Sequence, residues 1–241
     1  MSQQPAAELK VLTTGILKQP LRDLASQFEA LHGCTLSVSW GPSSGHSPQS
    51  NLVRVRRGES VDVLLMVGSG MDALIGEDCF TAITRRDIAT SKIGVAVRSG
   101  QPAPDIATVD ALRRCLLAAT SIGYSEGASG SYVGGSLFDA LGIAPEVAAK
   151  AHVVLGQKFV GEAVADGDVE IGIQQLSELR LVPGITIVGP LPSEVQHVSL
   201  VSGAVSSKAR NPELACRFLD FLCSDAADDA LARAGLSRPP R

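Results

Sequence analysis

KVLTTGILKQPLRDLASQFEAL, residues 10–31, reads as a strand, a loop and a helix in immediate succession. Lys10–Thr14 is an apolar, β-rich run stopped by Gly15. Pro20 then opens a stretch in which Leu21, Leu24, Phe28 and Leu31 recur at helical spacing. The order returns further on: Thr35–Trp40 (TLSVSW) reads as a second strand, GPSSGHSPQS as a polar turn, and Val53–Gly58 as a short basic helix. A third strand, Val61–Val67, ends at Gly68-Ser69-Gly70. Strands alternating with helices predict α/β architecture with largely parallel sheets. In such sheets ligands are taken beyond the carboxyl ends of the strands, where loops and helix N-termini offer unpaired N–H groups. All three strand ends open into small, polar loops.

The remainder divides the chain in two. Ile88–Val97 reads as a crossover strand, followed by a Pro-marked turn and a helix within QPAPDIATVDALRRCLL. Ser121–Tyr124 is a short strand feeding the loop GASGSYVGGS, and Leu137–Leu141 lies on the helix after it. Ala151–Leu155 leads to Gly156-Gln157-Lys158 and a helix over Phe159–Ala165. Val169–Ile173 is a buried strand ending in Gln174-Gln175. Ile185–Gly189 and Val198–Val205 are further strands, with helices over Pro212–Cys223 and Asp225–Ala234. A return of Val198–Val205 to the first lobe predicts lobe I from residues 1–85 plus 198–241 and lobe II from 86–197. The crossovers then lie near 85–95 and 190–200.

Composition narrows the function classes. The 241 residues allow two lobes of roughly 100–120 residues, each with its own core. With 21 basic against 25 acidic residues, a net charge of −4 and no charge block, nothing favours nucleic acid or a membrane surface. No apolar run approaches the roughly 18–20 residues of a spanning helix, so no membrane insertion is expected. Cys34, Cys79, Cys115, Cys216 and Cys223 are scattered without a CxxC pair and read as unpaired thiols. HExxH, P-loop and GxGxxG patterns do not occur, so no metal and no cofactor are expected. Met1–Glu8 is polar and runs into the first strand without an apolar leader, which predicts a cytoplasmic protein, or a periplasmic one if a leader has been removed.

Several stretches together resemble the type 2 periplasmic solute-binding proteins, most nearly their molybdate-binding branch, over almost the whole chain. They are VLTTGILKQPLRDLASQFEAL, the serine pair with the later GESVDVLLMVG, EGASGSY, ADGDVEIGIQQLSEL and RFLDFLCSDAADDALARAGL. The resemblance implies a two-lobed α/β fold closing on a ligand in a cleft between the lobes. It also implies oxyanion contacts, with departures. The serine after the first strand falls on Ile16, which has no donor. The second-loop serine falls on Ser43 or Ser44, a backbone donor on Ser129 beside Gly130, the next near Gln157, and a tyrosine is replaced by Gln175. A tetrahedral oxyanion would be under-coordinated, and a buried charge lacking partners is costly. Amides and cations fill the gap: Gln157, Gln174 and Gln175, with Lys18 and Lys158 near strand or loop ends. Amides donate and accept, which suits a carboxylate-bearing organic molecule. The chain is also similar to the aconitate isomerase relatives of that branch, which shift a proton and a double bond without a cofactor.

The expected function is binding of a small organic carboxylate anion and its isomerisation. Thr14, Gly15, Ser43, Ser44, Ser129, Gly130, Gln157, Lys158, Gln174 and Gln175 are its candidate contacts. Lys18, His46 and Tyr132 are the candidate bases, since abstraction beside a carboxylate needs a base within hydrogen-bond reach. Glu178 in QQLSEL is a further base candidate, but an exposed acid in the first turn of a helix is its simpler reading. The alternative is a non-catalytic solute-binding protein, partnered by a transporter permease, or an intracellular sensor.

Overall fold

The computed structural model describes residues 7–240. Its elements run β1 (Ala7–Thr13), α1 (Lys18–His32), β2 (Cys34–Trp40), α2 (Asn51–Arg56), β3 (Val63–Val67), α3 (Gly68–Gly76) and the long β4 (Arg86–Arg98). There follow α4 (Val109–Ala118), β5 (Ile122–Ser125), α5 (Ala128–Tyr132), α6 (Phe138–Ala140), α7 (Ala144–Val147), β6 (Ala151–Val154), α8 (Val160–Asp166), β7 (Ile171–Gln175) and α9 (Leu176–Leu179). The chain ends through β8 (Ile185–Pro190), β9 (Val198–Val205), α10 (Pro212–Cys223) and α11 (Asp228–Arg233).

These elements form two compact α/β units. The first runs to Ser43, resumes over Asn51–Thr90 and is completed from Leu200 onward; the second is Ser44–Ser50 with Ser91–Ser199. Besides the short excursion at Ser44–Ser50, the chain changes unit within β4 and again within β9.

In the first unit β1 lies between β2 and β3, parallel to both, with Thr13 opposite Trp40 and Leu65. β9 joins antiparallel to β3, Val67 facing Val201 and Val63 facing Val205. β3, VLLMV, is buried along its whole length, as a strand covered on both faces should be. Leu12, Leu64, Met66, Met71, Leu74 and Phe80 form one core cluster. Against α1, Phe28 meets Phe218 and Phe221 of α10 at ring-centroid distances of 4.9 and 5.4 Å. Leu21, Leu24 and Phe28 are buried, but Leu31, expected on the same face, is 68% exposed. It lies in the last turn, just before Gly33 caps the helix with φ +61, and it is His32, one residue on, whose ring meets Phe28 at 4.4 Å.

Asp62 is 2% exposed and paired throughout. Its carboxylate accepts the backbone N–H of Lys10 at 2.8 Å and of Arg210 at 2.9 Å, fixing the start of β3 to β1 and to the turn before α10. That turn ends in an N-cap: Asn211 Oδ1 accepts from Leu214 N at 3.1 Å, with Pro212 opening the helix.

The second unit centres on β5, parallel to β6 and to β7. β4 runs antiparallel to β7, and β8 pairs with its other edge across a bulge at Val95/Ala96. Ile93, Val95, Leu112, Leu116, Ile122, Val133, Leu137 and Ile173 head its main core cluster. Thr108 caps α4 by accepting from Ala111 N at 3.1 Å. Among the described residues, no helix is long and apolar enough to cross a membrane.

Candidate functional site

In the first unit the loop after β1 is pinned by backbone bonds. Thr14 N donates to Leu65 O at 3.1 Å, and Thr13 O accepts both Gly41 N and Asn51 Nδ2 at 3.0 Å. Thr14 is buried at the entrance to a single 3-10 turn, Gly15–Leu17. Within it Ile16 is 3% exposed, an apolar side chain turned into the core. Ser43 is also buried, and its hydroxyl accepts the Val67 N–H at 3.3 Å, tying the second loop to the end of β3. Lys18 opens α1 with its ammonium 4.0 Å above the Trp40 ring, a cation–π contact. The ends of β1, β2 and β3 thus gather Thr14, Gly15, Ser43 and Lys18 into one loop group.

The second unit gathers the rest around Ser125–Gly130, between β5 and α5. α5 turns back so tightly that a β-carbon at Gly130 would overlap the Ser125 carbonyl oxygen, so only glycine fits. The Ser125 and Ser129 hydroxyls lie 3.3 Å apart, and α5 packs on β7. Glu126, between them, accepts from Gly156 N at 2.8 Å and from Ser47 N at 3.2 Å. This draws the segment carrying Ser44 and His46, and the turn carrying Gln157, to the same loop.

The glutamine pair at the end of β7 divides in role. Gln174 is 2% exposed, and its Oε1 accepts from Val160 N at 2.8 Å, so this amide holds the start of α8. Gln175, equally buried, donates from Nε2 to Ser199 Oγ at 2.8 Å, while its Oε1 is buried with no hydrogen-bond partner among the described residues. Ser177 Oγ, two residues on, is in the same state. Buried polar atoms are almost always paired, so an orphaned acceptor and hydroxyl beside one strand end make it a candidate position for a polar ligand or water; Ser47, Ser50, Asn51 and Ser91 carry unpartnered side-chain oxygens as well.

Other candidates are committed elsewhere. The Lys158 ammonium lies 2.8 Å from both Asp166 and Asp168, whose hydrogen bonds hold it well above its ordinary pKa. Its charge is thus balanced within its own surface cluster. Tyr132 donates its hydroxyl to Val195 O at 2.7 Å, and its ring stacks on His197 at 4.9 Å. Burial pushes its phenol pKa up, and a phenol held neutral and already donating is a poor proton acceptor. His46 is exposed on its loop. Glu178, read as an exposed acid, is instead buried at 9%, because α9 turns it inward directly after the glutamine pair.

Sequence reasoning passed over Glu126, although it lies inside the quoted EGASGSY motif, because attention fell on the small residues around it. Ser199 and His197, the partners of Gln175 and Tyr132, carried no local signal. Among the described residues, no group of three or more His, Cys, Asp or Glu side chains is arranged to hold a metal ion.

Comparison with known proteins follows this geometry. The family described as bacterial extracellular solute-binding protein matches residues 9–237. An aconitate isomerase of Pseudomonas sp is 39% identical over 240 residues, covering 100% of this chain and 91% of that protein. The periplasmic molybdate-binding protein of Azotobacter vinelandii superposes with a TM-score of 0.78 at 18% identity, covering 96% of this chain and 100% of that one. A periplasmic thiamin-binding protein superposes with a TM-score of 0.74 at 15% identity, covering 100% of this chain and 86% of the other. At these identities the structural likenesses show the fold, which is the two-lobed α/β fold of periplasmic binding proteins. They also correct the cytoplasmic expectation, since the matched family is extracellular and both structural neighbours are periplasmic. Met1–Ala6, on which much of that expectation rested, lie outside the described residues.

Proposed function

Because the chain belongs to the bacterial extracellular solute-binding protein family, we propose that it works outside the cytoplasm, binding a small organic carboxylate anion and isomerising it without a cofactor. The observation that carries this reading is the end-to-end match at 39% identity to an aconitate isomerase. Two features of the site support it. Ile16 is buried where molybdate binders are expected to present a serine donor, and Gln175 brings an amide where they are expected to present a tyrosine. Loss of hydroxyl donors disfavours a bare oxyanion, whereas an amide edge suits a carboxylate flanked by further polar groups.

The reaction is a proton shift across an allylic system. A C–H bond next to a carboxylate breaks and its proton passes to a base. The electron pair spreads over the adjacent double bond, and a proton returns at the far carbon, leaving the double bond moved and the composition unchanged. The protein must hold the carboxylates, supply one base and stabilise the spread charge. In this proposal Ser129, Gly130 and Gln157 of the second unit hold the anion, with Ser44 as a further contact, and Gln175 meets a polar group beside the carboxylate. His46, exposed on the 44–50 segment, is the base.

A second reading, solute binding without chemistry, is favoured by the family itself. The test is ¹H NMR of purified full-length protein with cis-aconitate in D₂O, with no cofactor added. Appearance of the trans isomer with solvent deuterium in the product supports the enzyme. Binding without conversion supports the solute-binding reading, and neither binding nor conversion overturns the carboxylate proposal.

A further inference from the structure

Glu126 has no part in the chemistry proposed above, yet its carboxylate is where three stretches of the second unit meet. Its oxygens take the backbone N–H groups of Ser47 and Gly156, residues 79 and 30 positions away in sequence. The side chain also lies in a recess shaped for it. A β-carbon at Gly45 would come within 2.7 Å of Glu126 Oε2 and 3.0 Å of its Cγ, and Gly45 has φ +112, which few residues but glycine adopt. Gly156 has φ +70, and a β-carbon there would lie 3.7 Å from Gln49 Oε1, so the 44–50 segment and the 156 turn are neighbours. Gly45 therefore serves the close approach that the carboxylate bridges.

We propose that Glu126 is a positioning residue that clasps the 44–50 segment and the 156–157 turn to the Ser125–Gly130 loop, so that a carboxylate ligand meets donors already in place. The inference rests on the function proposed above. Both carboxylate oxygens are engaged by backbone N–H groups, so Glu126 acts as a brace and not as the proton acceptor. Hydrogen bonds to an ionised acceptor are the stronger kind, and here each one fixes a segment with little regular structure of its own. Ordering those segments beforehand removes a cost that ligand binding would otherwise carry. A brace that does not touch the ligand acts on KM more than on kcat.

The test compares full-length wild type, Glu126→Gln and Glu126→Ala by amide hydrogen exchange and by conversion of cis-aconitate. In Glu126→Ala, exchange at Ser47 and Gly156 is expected to quicken by about tenfold or more, with the β5 and β7 amides unchanged. KM is expected to rise by about tenfold and kcat to stay within about threefold. Glu126→Gln, which keeps one acceptor oxygen, should fall between, and it carries the comparison if the alanine variant does not fold. Unchanged exchange at both amides overturns the clasp, and faster exchange with unchanged KM overturns its positioning role. If wild type neither binds nor converts cis-aconitate, the functional reading fails by itself. Exchange then decides alone: lost protection in Glu126→Ala supports the clasp and retained protection overturns it.

Discussion

Gln175 and Ser199 form a buried pair in which the amide nitrogen donates to the hydroxyl at 2.8 Å while the amide oxygen faces no partner. That oxygen can only accept, so a ligand group meeting it must donate, as a hydroxyl does. Replacing both members by apolar groups removes the pair without stranding either polar atom. Gln175→Leu with Ser199→Ala is expected to change folding stability by less than about 1 kcal/mol, since exchanging both partners is close to neutral. Ligand affinity should fall by about tenfold or more. Urea unfolding and calorimetric titration with cis-aconitate check the two halves, and unchanged affinity would place the ligand elsewhere.

Gly130 has no room for a side chain against the Ser125 carbonyl. Gly130→Ala is expected to destabilise the protein by about 1–3 kcal/mol, the usual range for forced overpacking. The variant should also bind ligand more weakly, because α5 can no longer close on the strand end. A thermal unfolding temperature equal to wild type would count against this geometry.

Burial lowers the His197 pKa below its ordinary value of 6.5. The unfolded chain therefore takes up this proton before the folded one, and stability is greatest above about pH 6.5. It declines as pH falls through that value and levels off once the folded imidazole is also protonated. His197→Phe keeps a ring against Tyr132 and should flatten this slope in urea midpoints measured from pH 8 to pH 5. A slope identical to wild type would assign the acid sensitivity to other groups.

Phe28 and Leu31 share a helix but not a fate: one is fully buried and the other 68% exposed. Phe28→Ala is expected to cost about 3–5 kcal/mol, as for large aromatic truncations in cores. Leu31→Ser should stay within about 0.5 kcal/mol of wild type. Denaturant unfolding of the two variants side by side distinguishes them.

The architecture was legible because buried parallel strands announce themselves as short apolar runs. Val61–Val67 and Val169–Ile173 needed no knowledge of their neighbours to be read as strands, although the strands found are Val63–Val67 and Ile171–Gln175, and Pro212 marks the start of α10 in the sequence. What escaped was whatever depends on a distant partner. Leu31 follows the same spacing as Leu24 and Phe28, yet it is His32 that packs on Phe28 while Leu31 stays exposed. Glu178 has the sequence context of a surface acid, and the direction in which α9 turns reverses that. Glu126 could not be picked out because its role is set by Ser47 and Gly156, both remote in sequence. The compartment was misjudged for a different reason: it was inferred from terminal residues and not from the body of the chain, which carries the family.

Apart from the short excursion at Ser44–Ser50, the chain leaves the first unit within β4 and re-enters it within β9, and this division orders its synthesis. On a ribosome, every segment of the second unit has emerged by Ser199. The first unit still lacks β9, which pairs with β3, and α10, whose Phe218 packs on Phe28. Its early strands must wait, unpaired on one edge, until the last fifth of the sequence arrives. Nascent chains therefore pass through a stage in which the later-begun half can be folded and the earlier-begun half cannot.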